Sequence, residues 1–77
     1  MPAPTYIQVI LPLRLEWEPY YRLPEGMHVD VGDRVRVLFA RKEYVGAVSA
    51  VGVQPRTDEN RILPLLAVEE GLPKVLH

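Results

Sequence analysis

"VGDRVRVLFARKEYVGAV", residues 31–48, decides the fold. Within it, Val35, Val37 and Phe39 alternate with Arg34, Arg36 and Leu38, the period of two that a half-buried strand requires. The run continues as "EYVGAVSAVGV", residues 43–53, rich in β-branched side chains and interrupted by Gly46 and Gly52. Glycine inside a strand marks a bend or a close backbone approach, as at a barrel corner. The stretch also concentrates charge. Arg34, Arg36, Arg41 and Lys42 are four of the nine basic residues in a chain of net charge −1.

Outward from this centre the same period recurs. In "TYIQVILPL", residues 5–13, Ile7, Val9 and Leu11 share one face and Tyr6, Gln8 and Ile10 the other. "LPEGM", residues 23–27, reads as a Pro-led turn with Gly26 free to take positive φ, and "VDVGDRV", residues 29–35, repeats the device with Gly32. "QPRTDENR", residues 54–61, is a polar loop, the segment expected to move most. "RILPLLAV", residues 61–68, reads as a closing strand that Pro64 confines to an edge or kinks. The expectation is a mainly β chain: a small, bent β-barrel or OB-like domain of four to five short strands. Val35, Val37 and Phe39 should be buried with the Ile7, Val9 and Leu11 face, and no long helix should cross residues 33–53.

Seventy-seven residues form one small domain, read here as spanning residues 1–77. A chain this short buries only about 60% of its unfolded surface, so its stability is marginal. It has no cysteine to supply a disulfide or a thiolate-bound zinc, and its two histidines, His28 and His77, have no metal-ligand spacing. No Ser/His/Asp or Cys/His set can be assembled, and no phosphate-cradling GxxxxGK[ST] loop is present. Catalysis by this chain is not expected. Nor is a signal peptide or a membrane span, because the apolar run near the N-terminus is short and interrupted.

Binding remains. Arg34 and Arg36 share a strand face, and Arg41 and Lys42 occupy the following turn, where they could neutralise phosphates. The same charges also suit a solvated strand face, and the pattern leaves both readings open. In "LEWEPYYRLP", residues 15–24, the only tryptophan and two tyrosines lie among acidic and basic residues. Aromatic rings beside cations suit stacking on an unpaired base. In so small a domain, however, Trp17 and one of the tyrosines are expected in the core rather than on a platform. The carboxylates suit a sugar hydroxyl better than a phosphate track.

The order of these pieces carries more than any one of them. "VILPL" at 9–13, "LPEGM", "VGDRVRVLFARKEYVGAV" and "ILPLLAVEEGLP" at 62–73 together resemble the N-terminal segment of the primosomal protein N′ (PriA) family of replication-restart helicases. The resemblance covers residues 6–73. It implies a DNA-binding module that grips the free 3′ end of the nascent leading strand at a stalled fork, without sequence specificity. Its implied pocket has an aromatic-acid-aromatic stretch, an "FG" after the arginine strand and a lysine before the closing strand. The aromatic triplet falls on Pro19, Tyr20 and Tyr21, keeping one family tyrosine, with Trp17 and Glu18 just upstream as substitutes. The "FG" falls on Phe39 and Ala40, and the lysine on Leu63, with Arg61 two residues earlier as a stand-in on the same strand face. The site residues so implied are Trp17, Glu18, Tyr20, Tyr21, Ala40, Arg41, Lys42 and Arg61.

On this resemblance the basic strand and turn form the phosphate-facing wall of a pocket for one strand end. The full-length proteins hydrolyse ATP and bind zinc, but this chain carries neither motor motif nor cysteine. It is therefore expected to need no cofactor, with residues 73–77 beginning a linker toward helicase domains. A cytoplasmic monomer is implied, with a single-strand-binding protein and other primosome proteins as further partners. Two other readings of the residues remain: a packing or protein-interaction barrel, and a generic SH3-like RNA-binding barrel.

Overall fold

A computed structural model describes residues 4–69. The expected linker, residues 73–77, lies outside them. Five strands form one antiparallel sheet in the order β2-β1-β4-β3-β5: β1 (Thr5–Ile10), β2 (Tyr20–Leu23), β3 (Arg34–Phe39), β4 (Lys42–Val51) and β5 (Ala67–Val68). The sheet curls into a half-barrel with almost no helix. The expected mainly β class is what is found.

The alternation on β3 sorts side chains as anticipated. Val35 and Val37 are fully buried, with Phe39 half-buried against them. Ile7 and Val9 of β1, with Leu11 just beyond it, pack in the same core, joined by Val48 and Tyr21. Gly46 explains why β4 can cross so close to β1. A Cβ there would stand 2.5 Å from the Ile10 carbonyl oxygen and 2.6 Å from Val9 Cγ1, separations that no real side chain tolerates. The two expected glycine turns also form. Met27 N–H donates to the Pro24 carbonyl around Gly26 (φ +83), and Asp33 N–H donates to the Asp30 carbonyl around Gly32 (φ +97).

The closing segment differs from expectation. "RILPLLAV" is not one strand. Its first residue, Arg61, ends a turn of 3-10 helix, Glu59–Arg61, capped by Asp58, whose carboxylate accepts from Asn60 N–H (3.0 Å). A short polar side chain at that position competes for the backbone and favours a cap over a ladder. Beyond it, the chain pairs with two different strands. Arg22 N–H donates to the Leu63 carbonyl and Leu65 N–H to the Arg22 carbonyl, flanking a parallel bridge at Pro64. Then Leu66 N–H donates to the Arg36 carbonyl and Glu69 N–H to that of Arg34. Pro64, lacking a donor, sits where none is required. Residues 62–69 thus span from β2, one edge of the sheet, to β3 near the other.

A candidate nucleic-acid interface

One irregularity of the sheet positions the site. The β1–β4 register slips between Gln8 and Val9, pairing Gln8 with Ala50 but Val9 with Val48, so Ser49 is an extra residue in β4. A bulge re-aims the side chain it carries. Ser49 Oγ donates to Glu18 Oε1 at 2.5 Å, and Gln8 Nε2 donates to the Glu18 backbone carbonyl at 3.2 Å. Both ends of Glu18 are therefore tied to the outer face of the sheet.

Beside this carboxylate stands Trp17, 59% exposed. The expectation of a core tryptophan fails, because the core is already filled by the aliphatic residues of β1, β3 and β4. The expectation of a core tyrosine holds: Tyr21 is 3% exposed and its hydroxyl donates to the Leu38 carbonyl at 2.9 Å. Burial pushes the Tyr21 phenol up to about 12. Tyr21 is thus a fixed wall with its polar end already used.

Two clefts meet at Trp17, Tyr20 and Thr57, which line both. The larger, about 690 Å³, is lined by Gln8 and Glu18 together with Gln54 and Arg56 of the polar loop. The smaller, about 180 Å³, opens along the β2 edge and is lined by Tyr21, Phe39, Ala40, Arg61 and Leu63 among others. Of the eight residues singled out in the sequence, Trp17, Tyr20, Tyr21, Ala40 and Arg61 line the smaller cleft. Glu18 lines the larger. Arg41 and Lys42 line neither; they are exposed at the hairpin tip next to Ala40. Arg61 reaches the same cleft as Leu63, although from the 3-10 turn and not from a shared strand face.

A family model for the 3′ DNA-binding domain (3′BD) of PriA matches residues 8–75. The chain belongs to that family. It is a PriA 3′BD, and DNA binding is the property that defines the unit.

Within this 3′BD the strand arginines behave differently from the expected phosphate wall. Arg36 Nε bonds Glu69 Oε1 at 2.5 Å, and Arg36 Nη1 lies 4.0 Å from Glu43 Oε2. Its charge is locally compensated. Arg34 Nε is buried, with no hydrogen-bond partner among the described residues. Neither arginine lines either of these two clefts. The pattern in the sequence could not separate these from Arg41 and Lys42, because the compensating Glu69 is 33 residues away. Gln8, Ser49, Arg56 and Thr57 were not anticipated at all. The polar loop signalled that Arg56 and Thr57 would be exposed, but nothing signalled the bulge at Ser49.

Proposed function

We propose that this 3′BD grips the 3′-terminal nucleotide of a DNA strand, with the terminal hydroxyl donating to Glu18 and the base stacked on Trp17 and Tyr20. The observation that carries this is the tethered carboxylate beside an exposed tryptophan. Ser49 holds one oxygen of Glu18, leaving the other to accept a hydroxyl, which a carboxylate does and a phosphate contact does not use. An indole that is more than half exposed offers its π-face to any base, so recognition is independent of sequence. Exposed Arg41 and Lys42 supply phosphate contacts. On this reading the strand end is that of the nascent leading strand at a stalled fork. The chain then serves replication restart in the cytoplasm as the DNA-reading part of a helicase, alongside a single-strand-binding protein.

A second reading, a packing module, draws on Ile10, Leu13 and Leu15, which are exposed together beside Trp17. One experiment separates the two. Fluorescence anisotropy with paired oligonucleotides ending in a 3′-hydroxyl or a 3′-phosphate should favour the hydroxyl roughly tenfold. A phosphate facing Glu18 is repelled, while Arg56 in the same cleft offsets part of that repulsion. Glu18→Gln should erase the difference. Equal binding of both ends by the unaltered domain would exclude terminal recognition, and no binding of either would favour the packing module.

A further inference from the structure

Among the described residues, neither the backbone nor the side chains of residues 54–57 make a hydrogen bond. The arch they form nonetheless stands on two fixed feet, both set on Tyr6. On one side the Gly52 and Val53 N–H groups donate to the Tyr6 carbonyl at 2.9 and 3.2 Å. On the other the Glu59 carboxylate lies beside the Tyr6 hydroxyl. Space lies to both sides of the arch. In front is the larger cleft, and behind is a second cavity of about 340 Å³ lined by Thr5, Tyr6, Gly52, Pro55 and Glu59. Val53 and Gln54 line both. An exposed arch with no bonds of its own has little to hold it in one position. Gly52, at φ +73 with open space around it, gives the arch a pivot.

Arg56 stands near the middle of this arch, exposed and without an ion pair among the described residues. It is also the only cation among the residues that line the larger cleft. A nucleotide with its 3′ hydroxyl at Glu18 carries its phosphate on the 5′ side of the sugar, and Arg56 is the cation within the cleft that can meet it. We infer that residues 54–57 are a strap that folds down over DNA in the larger cleft, bringing Arg56 onto the terminal nucleotide's 5′ phosphate while the cavity behind widens. This inference rests on the terminal reading above and adds a motion to it: the cleft is open when empty and roofed when filled. A charge that arrives after the strand is in place contributes to retention more than to encounter.

The test is an NMR titration of the unaltered domain with a short single strand ending in a 3′ hydroxyl, run beside the comparison of 3′-hydroxyl and 3′-phosphate ends. The Gln8 amide and the indole N–H of Trp17, the only tryptophan, report on the cleft. Gly52, which lines the rear cavity and not the cleft, reports on the strap. On binding, Gly52 should shift together with Gln8 and Trp17, and exchange of the unbonded amides of Gln54, Arg56 and Thr57 should slow about tenfold or more. Arg56→Gln should weaken binding roughly tenfold, the scale of one charge-assisted contact, and at saturation should leave Gly52 near its unbound resonance. If Gln8 and Trp17 respond while Gly52 and residues 54–57 do not, the loop is a fixed wall and the strap is overturned. A persisting hydroxyl preference would then leave the terminal reading standing. A full Gly52 response in the Arg56 variant would equally overturn the strap, since another group would be drawing the loop down. If neither Gln8 nor Trp17 responds, DNA does not occupy the larger cleft and both readings fall.

Discussion

Tyr21 and Trp17 are four residues apart and have opposite fates. Tyr21 pairs with Ile7 across β1–β2, inside the curl, whereas Trp17 precedes the strand and stays in solvent. The buried phenol makes stability depend on alkaline pH. Its folded pKa, about 12, lies above the ordinary value of 10.0. A raised folded value means that the neutral form is favoured by folding. The stabilisation is therefore complete below about pH 10 and is lost as pH rises toward about 12. Tyr6 titrates in the same direction, raised by burial and by the Glu59 carboxylate beside it. Tyr21→Phe should cost about 1 kcal/mol at neutral pH through the lost bond to Leu38. It should also make the alkaline decline of thermal melting visibly shallower. An unchanged alkaline profile would mean that Tyr21 is not the residue responsible.

At the scale of elements, the β3–β4 hairpin turns on Ala40 (φ 51) and Arg41 (φ 68), two non-glycine residues in the left-handed region. Positive φ at both positions is the type I′ pattern that suits twisted strands, which glycine or asparagine meets at least cost. Arginine there carries a backbone cost and places a cation at the tip. Arg41→Gly should therefore stabilise the domain by about 1 kcal/mol in urea unfolding. The same change should weaken single-stranded DNA binding and lower the salt slope by somewhat under one. A variant that gains stability and loses nothing in binding would make the tip a solvated face. The strands themselves were legible because period-two alternation reports which face is buried, and every strand with a clean alternation is present. The closing segment was not legible. "ILPLLAV" is apolar at nearly every position, so its period is hidden, and its two partners lie far off in sequence.

Across the whole molecule, the near-neutral charge divides into compensated and uncompensated parts. Arg36 is held by Glu69 and Glu43. Arg41, Lys42, Arg56 and Arg61 are exposed at the clefts or the hairpin tip. Phosphate contacts by these four cations imply a salt slope for single-stranded DNA of about −3. Arg36→Gln should leave that slope unchanged, and a shallower slope in that variant would place the strand arginines on the DNA after all. The site was half legible for the same reason as the fold. Residue types marked the aromatics and cations, but which cations remain available depends on contacts that close only in three dimensions.

The span of residues 62–69 has a consequence for solubility. Each strand at the edge of a sheet offers unpaired backbone groups on which another chain can grow. Here one short stretch occupies such positions on β2 at Arg22 and on β3 at Arg34 and Arg36. It works as a guard on both flanks at once. A fragment cut before Ile62 would keep most of its core yet present two open templates. Its first failure should be self-association, not unfolding.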